Sequence, residues 1–313
     1  MRPLSAGLVG LLCLLPGVLW AAETAAPQTN GYVGASTCKS CHKKPYESYS
    51  VSRHAVKADK RTPAGQHECE SCHGPGAQHA EKPSKALIIP LGRKTMTPAR
   101  VQSAQCQQCH TKGLVRLWQG SAHERHGLSC SSCHQVHAGN KKNLARATAT
   151  EVCTTCHKDI KAQLNSMSHH PIREGKMSCA SCHNPHGTIA PKLIAANNAN
   201  EKCYECHSEK RGPVLWDHPP VSENCMNCHK PHGSNHDKLL VRRSPFLCQS
   251  CHEHSRHPGT LYALGTGQVS KTVYNAGTVG GGNVNNRLFY RACHNCHSQV
   301  HGSNHPSGKA LVR

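Results

Sequence analysis

The sequence has little of what usually builds a globular core. Its 313 residues include three Trp, two Phe and seven Tyr, so aromatic residues make up 4% of the chain. Leu, Ile and Val are sparse, and 26 Gly and 19 Pro are spread along the sequence. Side-chain burial alone could not offset the conformational entropy of ordering such a chain. Acidic residues are also scarce: 17 Asp and Glu stand against 37 Lys and Arg, a formal charge of +20. Beyond the N-terminus no apolar run approaches membrane length, so this part of the chain cannot cross lipid unaided. Irregular backbone in hydrocarbon would leave polar groups unpaired. What the chain has instead is 21 Cys and 27 His.

Residues 1–26 read as a secretory signal peptide. Arg2 is a minimal positive region, Leu4 to Leu19 is the apolar stretch, and Ala21, Ala22, Ala25 and Ala26 offer small residues for cleavage. A retained anchor competes with this reading, but the stretch is short for a span. A lipoprotein signal fits less well, because Cys13 lies mid-stretch behind Leu11 and Leu12. Loss of Cys13 with the signal leaves twenty cysteines. In an exported chain an even number suggests disulfides, but here the spacing overrules that.

All twenty belong to Cys-x-x-Cys-His motifs, of which there are ten. The first five are Cys38-Cys41-His42, Cys69-Cys72-His73, Cys106-Cys109-His110, Cys130-Cys133-His134 and Cys153-Cys156-His157. The others are Cys179-Cys182-His183, Cys203-Cys206-His207, Cys225-Cys228-His229, Cys248-Cys251-His252 and Cys293-Cys296-His297. Two thiols at this spacing straddle the edge of a porphyrin and add to its vinyl groups. The adjacent His is then directed at the iron as proximal ligand. Zinc sites and redox dithiols share Cys-x-x-Cys but do not require that His.

Ten covalently bound haems would supply the missing core, each as a large apolar plate wrapped by chain. Their propionates, two on each, would roughly cancel the basic excess. A nucleic-acid partner, the other reading of strong positive charge, is not expected: no recognition motif or aromatic stacking set accompanies the charge.

Seventeen His lie outside the motifs, and their positions are periodic. The motifs form five pairs beginning at Cys38, Cys106, Cys153, Cys203 and Cys248. An inner His lies between the two motifs of each pair: His54, His123, His170, His218 and His257. A trailing His follows the second motif: His79, His137, His186, His232 and His301. Recurring local sequences support the register: His170-Pro171, His218-Pro219 and His257-Pro258, then Asn184-Pro185-His186-Gly187 and Lys230-Pro231-His232-Gly233. These ten are the expected distal ligands, with His126, His169 and His254 as rivals to their neighbours. His67, His236, His294 and His305 are expected non-ligands. A trailing His three positions after its own proximal His cannot easily reach the far face of the same haem, so it is expected to serve another. Tyr46 to Lys57 and Asp159 to Ser166 are predicted helical. Two His on every iron leave no open position for substrate and favour a low potential relative to a His/Met pair, both suited to electron relay.

At these residues the chain resembles the MtrA, MtoA, PioA and DmsE-type decahaem c-type cytochromes. The resemblance covers essentially all of the sequence after the signal. It rests on the ten motifs, the His-Pro and Pro-His-Gly pairings and the ending Cys293-His294-Asn295-Cys296-His297-Ser298-Gln299-Val300-His301-Gly302-Ser303-Asn304-His305-Pro306. It implies a multihaem cytochrome c fold, a mostly irregular chain with short α-helices around its haems. It also implies an elongated shape with two pentahaem halves, placed at 27–157 and 158–313. The implied location is the periplasm, associated with the outer membrane through a porin-like β-barrel partner. The implied role is conduction between a periplasmic cytochrome and an extracellular cytochrome or iron mineral.

One stretch departs from the repeat. Cys251 and Cys293 enclose 41 residues, and 260–291 within them reads as an insertion, with a candidate β-hairpin at Thr272 to Asn283. A cap, a barrel contact and a plain surface loop are all open for it. A soluble periplasmic shuttle to a terminal reductase is the alternative function. A nitrite-reductase-like enzyme is not expected, since no Cys-x-x-Cys-Lys motif occurs.

Overall fold

The computed structural model describes residues 31–138, 143–252 and 292–312. The expected signal, Cys13, His254, His257 and the whole insertion with its candidate hairpin lie outside these residues.

Among the described residues the chain forms only short helices and no strand, and its longest helix is the nine-residue Ala99–Gln107. Cross-chain pairing is limited to isolated bridges such as Ser168 with Ser234 and Trp216 with Ser303. The apolar residues buried by protein are few: Ala35, Tyr49, Trp118, Leu164, Ala190 and Leu311. So small a side-chain core cannot by itself balance the ordering of the chain.

The five motif pairs are five structural units, and each motif is held by one backbone turn. In all ten, the His amide donates to the carbonyl of the first Cys, at 2.8–3.1 Å. That turn sets the two cysteines three residues apart on one helical face. In units two to four the first motif begins near the end of a helix: Ala99–Gln107, Ala149–Thr154 and Ala199–Tyr204. The second helix of this set starts with a capping box. Thr148 Oγ1 accepts from the Glu151 amide, and Glu151 Oε2 accepts from the Thr148 amide. Asn198 caps the third in a related way, accepting from the Glu201 amide at 2.9 Å. The second motifs of units two to four lie in 3₁₀ turns, Cys130–Ser132, Cys179–Ser181 and Cys225–Asn227, opened by Ser129, Ser178 and Asn224.

The first unit is tied together by a buried carboxylate. Glu70 is 3% exposed and accepts from the amides of Val33, Gly34 and Gly76. These bonds dock helix Gly34–Cys41, which carries the first motif, on the short helix Glu70–His73, which carries part of the second. The predicted helix Tyr46 to Lys57 is shorter than expected. The observed helix is Lys43–Ser50, after which Ser52 turns extended (ψ 161°) and a separate 3₁₀ turn, Arg53–Ala55, carries His54. The other predicted helix is observed as Lys158–Gln163.

Successive units dock through the turn that bears the trailing His. Gly187, Gly233 and Gly302 follow His186, His232 and His301 directly. A Cβ on Gly187 would overlap the Leu117 carbonyl, and one on Gly233 the Gln163 carbonyl. One on Gly302 would lie 2.8 Å from the Val214 side chain. Glycine is therefore required for this close approach of one unit to the unit before it.

Candidate functional site

The histidines expected as ligands face one another in pairs, with ring centroids 6.0–6.4 Å apart. Four pairs join an inner His to the first proximal His of the next unit: His54 to His110, His123 to His157, His170 to His207 and His218 to His252. Four join a trailing His to the second proximal His of the preceding unit: His137 to His73, His186 to His134, His232 to His183 and His301 to His229. The ninth pair, His79 with His42, closes inside the first unit. His257, the remaining expected distal ligand, lies outside the described residues. No described trailing ring faces the proximal His of its own motif.

This separation fits an iron between the rings. A metal–imidazole bond of about 2.0–2.1 Å plus about 1.1 Å from nitrogen to ring centre, on each side, gives about 6.2–6.4 Å. The porphyrin supplies the four remaining donors, so a two-His site does not need a third protein ligand.

Hydrogen bonds at Nδ1 orient many of these rings. Nδ1–H engaged on a carbonyl fixes the tautomer and leaves Nε2 to face the metal. On the proximal side His73 donates to the Ile89 carbonyl at 2.9 Å, His183 to Lys192 at 2.9 Å, His229 to Lys238 at 2.8 Å and His297 to Ala310 at 2.6 Å. On the distal side His79 donates to Ser84 at 2.9 Å and His137 to Pro45 at 3.0 Å. His186 donates to the Asn184 side-chain oxygen at 3.1 Å. Burial also disfavours the cationic form of His54, His73, His186, His232 and His301, shifting each below the usual imidazole value.

The rival histidines do other work. His169 bonds the Ser166 carbonyl and Glu174, while His170 faces His207. The His126 amide closes the short helix on which His123 points to His157. His67 stacks on Tyr32 at 3.7 Å, and His305 Nδ1 accepts from the Ser307 amide.

The cysteines form a continuous series. Within every unit the first cysteines of the two motifs lie close together: Cys38 with Cys69, Cys106 with Cys130, Cys153 with Cys179, Cys203 with Cys225 and Cys248 with Cys293. Across the four junctions the second cysteines lie near enough to feel one another electrostatically: Cys72 and Cys109, Cys133 and Cys156, Cys182 and Cys206, Cys228 and Cys251. Burial pushes the Cys69 thiol up to about 12. Attachment edges that follow one another in sequence therefore adjoin in space.

Sequence reasoning missed the residues that present the carbonyls. Lys192 and Lys238 have positive φ (58° and 57°), as do Leu193 and Leu239, and this paired left-handed turn swings the lysine carbonyl beneath the proximal ring. The signal was present as Lys192-Leu193-Ile194 and Lys238-Leu239-Leu240 after two of the second motifs. Asn184 and Asn304 were also missed. Asn184 bonds the Leu114 carbonyl of the preceding unit at 3.0 Å, and Asn304 accepts from the Leu215 amide at 2.6 Å.

Comparison with known proteins bears on the motifs. The family model described as a doubled CXXCH motif matches residues 169–212 and 218–257, and the cytochrome c-type protein NrfB-like model matches 69–146. The chain is 43% identical over 282 residues to the multiheme cytochrome MtrA of Shewanella baltica, covering 90% of this chain and 81% of that protein. It is 27% identical over 266 residues to the C-type polyheme cytochrome OmcB of Geobacter sulfurreducens, covering 79% of this chain and 29% of that protein. A high-molecular-weight cytochrome c of Nitratidesulfovibrio vulgaris is 26% identical over 148 residues, 44% of this chain and 25% of that one. The cysteines of the motifs thus attach haem c, and the chain belongs to the MtrA-type multihaem cytochromes c, electron carriers rather than enzymes.

Proposed function

We propose that the chain carries ten haems c, each with two His axial ligands, and conducts electrons across the outer membrane inside a porin-like β-barrel. The observation that carries this reading is the shifted pairing. Each junction between units holds two facing His pairs, so consecutive haems would be clamped at fixed spacing from one end of the chain to the other. The adjoining cysteine edges favour transfer in sequence order. Each facing pair fills both axial positions of its iron, which suits relay and not substrate binding. Iron oxidation or metal reduction at an exposed terminal haem would be outer-sphere transfer.

The two pentahaem halves, 27–157 and 158–313, hold five motifs each. Four of the facing pairs lie within 31–157 and four within 158–312, and only His134 with His186 crosses. The tenth ligand pair in this reading is His297 with His257.

Among the described residues no helix is long and apolar enough to cross a membrane. Passage through the bilayer therefore needs a lumen built by another chain, which the resemblance to the decahaem group supplies as a β-barrel. A periplasmic location follows from cleavage of residues 1–26. The partners are then a periplasmic cytochrome on one side and an extracellular cytochrome or iron mineral on the other.

Reconstitution tests this. Liposomes enclosing a redox dye are prepared with the haem-loaded protein, with and without the barrel. Dye reduction by an impermeant external donor only when both proteins are present is the expected result. No transfer from a verified assembly would replace the conduit with a soluble periplasmic shuttle.

A further inference from the structure

Three junctions share a hydrogen bond that the first junction lacks. The inner His donates Nδ1–H to the carbonyl of the residue just before the next unit's trailing His. His123 reaches Pro185 at 2.8 Å, His170 reaches Pro231 at 2.6 Å and His218 reaches Val300 at 2.8 Å. The glycine after each trailing His explains the contact. It lets the turn press on the preceding unit's chain, and the pressed turn brings its carbonyl beneath the inner ring.

At the first junction the residue after the trailing His137 is Ala138. His137 turns its own Nδ1 to the Pro45 carbonyl, 3.0 Å away. The inner His54 keeps a buried Nδ1 with no partner among the described residues, and it is the one described imidazole nitrogen in that state. Tyr49 holds the segment in place by donating its hydroxyl to the His54 backbone carbonyl at 3.1 Å.

The ring planes set the same pair apart. Six of the nine pairs are near parallel, at 12–22°. His54 and His110 cross at 75°, His123 and His157 at 72°, and His170 and His207 at 51°.

Both features bear on the iron's potential. An imidazole that donates Nδ1–H to a carbonyl is a more basic ligand and stabilises the ferric state. Without that bond His54 is the weaker donor. Parallel rings push π-density into the same iron orbital and also favour the ferric state, whereas crossed rings divide that donation. Among the described pairs only His54 with His110 combines crossed planes with a buried Nδ1 that lacks a partner. The geometry points to the iron between His54 and His110 as the highest-potential station of the described chain, where the first electron to enter comes to rest. One electron from an external reductant converts that ferric iron to ferrous. No proton need follow, because Nδ1 keeps its own. This rests on the bis-His reading above.

The test is a reductive titration of the intact haem-loaded protein, followed by low-temperature electron paramagnetic resonance. Crossed bis-His ferric haems give a single large-gmax feature, and parallel ones give a rhombic spectrum. The first reducing equivalent should remove about half of the large-gmax intensity of the two most crossed pairs and leave the rhombic signals intact. A His54→Ala variant identifies the component. It should lack that half from the start, and its remaining large-gmax signal should survive the first equivalent. Early loss of the rhombic signals in the intact protein would overturn the assignment, and it does so even if the variant fails to assemble. Failure of the bis-His reading looks different: the fully oxidised protein would show mainly high-spin signals before any reductant is added.

Discussion

Replacement of Gly187 by Ala tests whether the trailing turns are held by close backbone approach. The added Cβ would overlap the Leu117 carbonyl oxygen and lie 2.8 Å from its carbon and 3.0 Å from the Leu117 Cβ. Backbone does not yield as the tip of a flexible side chain does, so the turn must lift. Overpacking of this kind costs about 1–3 kcal/mol. The φ of Gly187 is +125°, a region that alanine adopts only with strain of about 1–3 kcal/mol. A combined cost near 3 kcal/mol shifts the docked-to-lifted equilibrium roughly a hundredfold, at about 1.4 kcal/mol per factor of ten. Lifting the turn carries His186 from His134 and the Pro185 carbonyl from His123. The haem at His134 should therefore become high-spin, read as one haem's share of the high-spin resonance and of the long-wavelength charge-transfer band. Gly175→Ala is the control. Gly175 also has positive φ (72°), but nothing lies within 4 Å of its added Cβ, so it should lose some stability and no low-spin signal. An unchanged spin state in Gly187→Ala would refute the reasoning that the glycine seats the ligand.

Three further outcomes follow from the geometry. His137→Ala should convert the haem at His73 to high-spin, whereas His126→Ala and His169→Ala should leave the spectrum unchanged; a high-spin signal from either control would reassign the ligands. Glu70→Gln keeps the shape but weakens charge-assisted bonds to three amides, costing roughly 1–3 kcal/mol. Proteolysis should then cut faster around helix Gly34–Cys41, and an unaltered cleavage pattern would count against the carboxylate as the tie. Finally, burial lowers the imidazole pKa of His54, His73, His186, His232 and His301, so the folded chain binds fewer protons than the unfolded one as pH drops through the ordinary imidazole pKa of about 6.5. Stability to denaturant should be full above that pH and fall as pH drops below it. A rise in stability on acidification would contradict this.

Much of the site is legible in the sequence because its chemistry is local. Cys-x-x-Cys-His needs only one backbone turn, so all ten motifs can be read without a fold. The inner and trailing His could be found from their period. Their partners could not, because each described inner or trailing ring except His79 faces a motif in a neighbouring unit, and spacing alone does not say whether the shift runs forward or back. The carbonyls beneath the rings were hidden for a similar reason: Pro185 and Pro231 act through backbone oxygen, which side-chain identity does not report. The helix after the first motif was overextended because Tyr46 to Lys57 has helical periodicity, while Ser52 leaves the helix to bring His54 round on a separate turn.

The shifted pairing also decides how such a chain can change length. Each interior unit gives one ligand forward and one ligand back, and receives the same from its neighbours. Under the bis-His reading, removal or duplication of a whole interior unit leaves every remaining iron with two ligands, whereas loss of half a unit leaves one iron short of a ligand and one His without an iron. The first unit ends the series by turning His79 onto its own His42, as a capping repeat closes a solenoid. On the proposed function, the reach of the wire would thus be quantised in steps of two haems.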